Sequence, residues 1–399
     1  GTVGKTQLCR RLQGQDFDPG IPSTHGVQVQ TITQPPAEWH VWDFGGQDIY
    51  HSTHALFMRT RAVFVLVWSP VSEDAGVHEV GGITFRNHPL EYWVQYVRHT
   101  AGTHCPLLIV QTRCEQAKDE MRQLPLPSGL LDDFAWCKIL HYSSKTNRGR
   151  AALDEALQDA HGWLLAQRPA TIGLGRLRVQ RALCAWRDAD ARLPPEQRQH
   201  RLVTQEAFAT LCGEGQGDVS DPPALLDYLH HAGIVFYRKN LFGNQIILDQ
   251  GWALDAIYTV FERERCWKPL RALGGKFTRS LLASLTWEQH SEQEQELFLS
   301  MMCSCGVAFV HMKGDAERGI ETEYIAPDLL PSKASIQAQL NEKWDATLPC
   351  AGTQVEFDLL EPGLLRGVVA KIGSMAGING LYWDGGVCVY EEGTRSRAL

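Results

Sequence analysis

No stretch of this 399-residue sequence approaches the roughly twenty apolar residues that a membrane-spanning helix needs, and no signal peptide is expected. Cations are in the minority, 38 against 46 anions for a formal charge of -8, so no nucleic-acid partner is expected. The 11 cysteines are scattered, odd in number and without a CxxC pair, which speaks against a zinc site or a disulfide framework. Reduced thiols in a cytoplasmic protein are expected. Cys303 and Cys305 come nearest to a pair, and core packing explains them. What remains is a chain long enough for two or three domains, each with its own core.

The informative stretch is 39–68. Strand-like residues 39–42 run into Asp43-Phe44-Gly45-Gly46-Gln47, and after a His-rich segment the apolar run 62–68 follows. An acid at a strand's end with paired glycines behind it suits a phosphate and metal site. The carboxylate can hold a magnesium shell, and the glycines let backbone amides approach a terminal phosphate, with Gln47 beside it. The chain opens on Gly1-Thr2-Val3-Gly4-Lys5-Thr6-Gln7, the second half of a phosphate loop G-x-x-x-x-G-K-[ST] leading into a helix. Lys5 would reach the outer phosphates, Thr6 would ligate magnesium, and the helix N-terminus, with Gly1, Gly4 and Gln7 about it, would present amides to the anion. The motif's first glycine and its preceding strand would fall before Gly1. Thr24, in the loop before the alternating strand 27–32, would add a second oxygen to the metal and so sense the terminal phosphate.

Residues 106–112 and 136–141 are continuous apolar runs, read as strands of a parallel sheet, with helices expected at 90–99 and 119–134. Sites in such sheets lie at the carboxyl ends of the strands, here Thr112-Arg113-Cys114-Glu115 and Ser143-Ser144-Lys145. GTPases usually carry [NT]-K-x-D and S-A-K there. Ser144-Lys145 fits. Arg113 replaces lysine and Glu115 replaces aspartate, so guanine selectivity is expected but weakened by the extra methylene of Glu115.

Gly-Lys-Thr, Thr-His-Gly, Asp-Phe-Gly-Gly-Gln-Asp-Ile-Tyr-His, the strand ending in Trp68 and Ser-Lys together resemble the Roc GTPase domain of Roco proteins. That resemblance implies an α/β Ras-like P-loop domain followed by an α+β COR domain. A helix at 151–167 and a Gly/Pro-marked joint close the first part, giving Roc 1–167 and a linker 168–175. Beyond a basic helical stretch at 176–192, two segments share one plan. In the first, Asp221 caps a helix that carries Leu225, Leu226 and Leu229 and stops at Gly233, before strands 234–237 and 245–249. The second runs from a helix through 297–302 to Gly306, then strands 307–310 and 324–327. Helix, glycine, hairpin outlines a winged helix. The resemblance extends here, with Leu248, Asp249 and Trp252 and the segment 325–331 in places that match COR, giving a winged-helix-like COR N-terminal subdomain at 176–345. At 346–399, a strand near Val355, a helix bearing Leu364, Leu365, Val368, Val369 and Ile372, and a hairpin at Asp384-Gly385-Gly386 look like the start of the dimerisation subdomain.

The expected function is a Roco-type switch that binds GTP and GDP, hydrolyses GTP slowly with Mg2+, and acts through COR-mediated homodimerisation. Thr6, Thr24 and Asp43 would hold the metal, Gly46 would contact the terminal phosphate, and Gln47 would orient the attacking water. Arg59, Arg61, the COR domain or a second subunit remain open as sources of an arginine. An adenine-specific ATPase with winged helices and a non-hydrolysing scaffold are the alternatives. A DNA-binding regulator is disfavoured by Glu288, Glu292, Glu294 and Glu296 in the second unit's helical region. His51 and His54 are read as a helix face rather than a metal site, His230 and His231 as complements to a helix end, and Trp252, Trp287 and Trp383 as core.

Overall fold

The computed structural model describes residues 3–21, 27–34, 37–45, 58, 62–73, 77–80, 83–86, 88–121, 123–167, 173–213, 215–237, 239, 244–344, 352, 354–357, 362–390 and 397–398. They divide into two compact units. The first holds nearly all described residues up to Trp252, the second those from Ala253 onward.

In the first unit, helix Lys5–Leu12 precedes an antiparallel pair, β1 (Val27–Gln34) and β2 (Ala37–Phe44), in which Gln28 lies opposite Asp43. Three parallel strands come next, β3 (Phe64–Trp68), β6 (Pro106–Gln111) and β7 (Trp136–His141), in the order β3-β6-β7. Between β3 and β6 stand a hairpin, β4 (Val77–Val80) with β5 (Ile83–Arg86), and helix Leu90–Thr100. Strand alternation distributes the centre of the sheet between two cores. Leu107 and Ile109 of β6 join Leu90, Val94 and Val97 on one face. Leu108 and Val110 join Leu8, Leu153, Ala156 and Leu157 on the other, from helices Lys5–Leu12 and Arg150–Gln167. Every residue of β6 is buried, as its unbroken apolar run requires.

The helix expected at 119–134 is not present among the described residues. A 3-10 turn, Ala117–Asp119, gives way to irregular turns. Pro125 and Pro127 remove amide donors, and Gly129 adopts φ +83°, so no helical ladder can run through the segment. The β4–β5 hairpin adds to the expected elements, and Gly81-Gly82 between two short β-prone runs is its signal in the sequence.

Helix Leu174–Asp190 lays Val179 and Leu183 against Phe208, Leu225, Leu229 and Ile246. Thr204 caps helix Gln205–Cys212, and Asp221 caps helix Pro222–His231 by accepting from the Ala224 amide at 3.0 Å. Gly233 ends that helix at φ +70°. The wing is shorter than expected. A bridge from Phe236 to Ile247 stands in place of the expected strand 234–237, and β8 (Leu202–Val203) pairs with β9 (Ile246–Ile247).

The second unit repeats the plan. β10 (Lys276–Thr278), β11 (Phe309–Met312) and β12 (Glu323–Ile325) are ordered β10-β12-β11. Helix Glu292–Ser304 opens on a capping box of Ser291 and Glu294, and Gly306 comes after it at φ +70°. Helix Pro362–Ala376 then packs with the hairpin β13 (Gly380–Trp383) and β14 (Gly386–Tyr390), whose outer edge takes β15 (Arg397–Ala398). Residues 354–357 carry no strand, contrary to expectation. Trp287 and Trp383 are buried, while Trp252 is half-buried beneath the Arg201 guanidinium.

Arg366 of that helix meets Asp328 of the 3-10 turn Pro327–Leu329 at 2.7 Å, with both side chains over nine-tenths buried. Truncating one member strands the other charge, at a cost of about 3–5 kcal/mol. Arg366→Ala should therefore lower the denaturation midpoint sharply, and the paired change Arg366→Met with Asp328→Leu should recover most of the loss. A midpoint unmoved by Arg366→Ala in urea titration would show that the pair carries no stability.

Candidate functional site

Gly4 adopts φ +93°, a conformation that a side chain resists, and turns the chain directly into helix Lys5–Leu12. The next two residues carry the chemistry. The Thr6 hydroxyl donates to Asp43 Oδ2 at 2.7 Å, across 37 positions of sequence. Asp43 is 4% exposed, at the end of β2. Burial holds the Lys5 ammonium below its ordinary range, while the Asp43 carboxylate pulls it back up. The same burial, reinforced by Asp43, pushes the Cys9 thiol up to about 12, so that thiol is not a nucleophile. A cation, a hydroxyl and a carboxylate thus converge at a helix N-terminus, an arrangement that receives phosphate oxygens.

A second cluster lies at the carboxyl ends of β6 and β7. The Thr112 hydroxyl donates to the Val3 carbonyl at 2.6 Å and to the Trp68 carbonyl at 3.1 Å, tying the β6 end to the phosphate loop. Arg113 stands at φ +63°, an uncommon left-handed position that turns the chain so that the Cys114 amide reaches the Tyr142 carbonyl at 3.2 Å. Lys145 Nζ then donates to Glu115 Oε2 at 3.4 Å. Ser143 and Ser144 are buried, and the Ser143 hydroxyl accepts from the Thr146 amide at 3.2 Å. The two motifs read from the sequence, 112–115 and 143–145, therefore form one surface, closed by an ion pair across 30 residues.

Gln7, expected as a nucleotide contact, exchanges its side-chain hydrogen bonds with the Asp18 backbone. Gly1, Thr24, Gly46, Gln47, His51, His54, Arg59 and Arg61 lie outside the described residues. Arg11 bonds the Ser144 and Lys145 carbonyls, contacts that sequence reasoning does not find because these partners stand 133 and 134 residues away and no local pattern marks them. No group of three or more His, Cys, Asp or Glu side chains suited to a metal occurs among the described residues. Nor is any described helix long and apolar enough to cross a membrane.

Comparison with known proteins decides the lineage. Residues 1–115 match the family model "Ras of Complex, Roc, domain of DAPkinase", and residues 184–330 match "C-terminal of Roc, COR-A domain". The chain is a Roc–COR protein of the Roco family. Its curated relatives include a Roc-COR-CHAT protease of Runella zeae, 23% identical over 90% of this chain and 38% of the relative. Another is the probable serine/threonine-protein kinase roco11 of Dictyostelium discoideum, 26% identical over 30% of this chain and 8% of the relative. The Roc–COR chain thus spans well under half of each. A solved structure of Methanosarcina barkeri Roco2 RocCORdC bound to GDP shares the fold, with TM-score 0.58 and 22% identity over 83% of this chain and 93% of that one. The α/β Ras-like domain followed by an α+β COR domain is thereby established, and the Roc part is a GTPase-type domain.

The family implies Mg2+, and the residues fit it. Thr6 Oγ1 and Asp43 Oδ2 are adjacent hard oxygens, one of them a buried carboxylate, beside a phosphate-receiving helix end. Sites of this kind take one or two protein oxygens and leave the rest of the shell to water and phosphate, so three clustered acids are not required.

Thr112→Val keeps the side-chain shape and removes the hydroxyl's bond to Val3, while the Trp68 carbonyl keeps the Thr112 amide at 2.8 Å. A net hydrogen bond is worth about 0.5–1.5 kcal/mol, so the variant should bind GDP about fivefold more weakly in fluorescence titration. Unchanged affinity would detach Thr112 from the phosphate loop's function.

Proposed function

We propose that this Roc–COR protein is a nucleotide switch that binds GTP and GDP, hydrolyses GTP slowly, and couples its nucleotide state to COR-mediated homodimerisation in intracellular signalling. The observation that carries the reading is the Thr6–Asp43 contact at 2.7 Å with Lys5 buried beside it. Lys5 grips the outer phosphates, while Gly1, Gly4 and the Gln7 amide line the anion. Thr6 and Thr24, and Asp43 by way of water, would hold Mg2+, which would neutralise phosphate charge. Gly46 meets the terminal phosphate. Gln47 orients the water that attacks the terminal phosphorus as GDP departs, and without an added arginine such sites turn over at roughly 10⁻⁴ per second. Thr112, Arg113, Glu115, Ser143, Ser144 and Lys145 surround the base.

The proposed division is Roc 1–167, linker 168–175, COR N-terminal subdomain 176–345 and the start of the dimerisation subdomain from 346. Support for dimerisation comes from helix Pro362–Ala376, where Leu364, Val368 and Met375 share one face at helical spacing and Met375 is 80% exposed. Sedimentation as a monomer across the whole accessible concentration range would remove that support. A cytoplasmic setting fits a protein that draws on GTP. Helix Pro222–His231 carries no lysine or arginine, and helix Glu292–Ser304 begins on two acids in its first turn, so neither helix suits a phosphate backbone.

Glu115 gives an adenine nucleotide its one argument, since the longer acid alters the geometry of guanine recognition. One experiment separates the readings. With Mg2+, GTP should displace fluorescent GDP far better than ATP does, and Gln47→Leu should abolish phosphate release while leaving GTP affinity intact. Equal competition by ATP refutes the guanine assignment. Full binding without phosphate release by the wild type in single turnover indicates a scaffold.

A further inference from the structure

The phosphate helix and the base loop are joined by one side chain. Arg11, in the last turn of helix Lys5–Leu12, donates from Nε to the Ser144 carbonyl at 2.6 Å and from Nη2 to the Lys145 carbonyl at 3.3 Å. Its third nitrogen, Nη1, meets Asp16 Oδ1 at 2.9 Å and the Gln15 carbonyl at 3.4 Å. The planar guanidinium is thereby fixed in orientation, with its side chain 17% exposed. Arg11 is itself anchored. Arg150 Nη1 donates to the Arg11 carbonyl at 2.6 Å, and Asp154 holds Arg150 through two contacts of 2.8 Å to Nε.

We propose that Arg11 is a positioning residue for base selection, which holds the Ser144–Lys145 backbone where Lys145 and Glu115 meet and so transmits the position of the phosphate helix to the base loop. The proposal rests on the nucleotide-binding reading above. Both of its bonds to the loop end on main-chain oxygens, so Arg11 acts on the loop's backbone. Charge alone is insufficient for this role. An ammonium on a flexible stem cannot serve two successive carbonyls and Asp16 in one plane.

The test uses the whole chain and N-methylanthraniloyl-GDP. Wild-type binding comes first, and its failure would refute nucleotide binding rather than this inference. Given binding, Arg11→Ala should speed release of the labelled GDP by about tenfold, the equivalent of the charged hydrogen bonds lost. It should also narrow the ratio of GDP to ADP affinity, which a general loss of stability would not change. Arg11→Lys should resemble Arg11→Ala in both measurements. Arg11→Gln, which keeps one amide donor, provides the same comparison should Arg11→Ala fail to fold. Release at the wild-type rate overturns the proposal. So does a parallel fall in GDP and ADP affinity with the ratio preserved, or full rescue by Arg11→Lys, which would assign Arg11 a role as a charge.

Discussion

The Thr6–Asp43 contact is the constraint from which the rest of the first unit can be understood. It requires the first helical turn and the end of β2 to arrive at the same point, although 37 residues separate them. Neither element fixes the other by local propensity. The meeting is imposed by the two cores around β6, where Leu8 of helix Lys5–Leu12 packs on the same face as Leu108, Val110 and Leu153. Thr112 completes the closure by binding the Val3 carbonyl from the end of that strand. The buried strand sets the distances, and the polar contacts at its end adopt them.

Burial also decides which groups are reactive. Lys5 and Cys9 lie one helical turn apart in the same low-dielectric space, and desolvation moves them in opposite directions with one result. Each charged form is made costly. An anion placed beside Lys5 would relieve it by supplying the opposite charge, whereas the cation beside Cys9, Lys5 itself, is outweighed by burial and Asp43. The same physics therefore leaves the lysine responsive to a ligand and the thiol inert.

Legibility tracks the range of the interactions. The parallel strands are visible because their apolar runs are continuous, and Asp221-Pro222 and Gly233 mark a helix by capping chemistry that acts within three residues. Segment 119–134 misleads, because its leucines at near-helical spacing suggest a helix that Pro125 and Pro127 forbid outright. The motifs 112–115 and 143–145 can each be read, but not the Lys145–Glu115 bond or the Arg11 contacts. Those depend on chain closure over 30 and 133 residues, for which one sequence carries no local record. The buried Arg366–Asp328 pair is hidden for the same reason.

Strand β2 links the site to the first winged-helix-like segment. Asp43 lies at its end, and one and three residues back stand Trp42 and His40. A β-carbon placed on Gly233 would lie 3.4 Å from the Trp42 ring and 3.5 Å from His40 Cβ, so the end of helix Pro222–His231 is seated against the strand that bears the site carboxylate. Burial, and after it the charge of Arg187 on helix Leu174–Asp190, hold the His40 imidazole below its ordinary range, and its Nδ1 meets the Thr31 hydroxyl at 3.3 Å. Alternation explains how one strand serves both. Asp43 projects from the face opposite to its neighbour Trp42, so a shift of β2 along its axis displaces the carboxylate and the COR-A contact together. A β-carbon at Gly233 would make only ordinary van der Waals contact, so it is φ +70°, a conformation that a side chain resists, that calls for glycine where the helix end meets the strand.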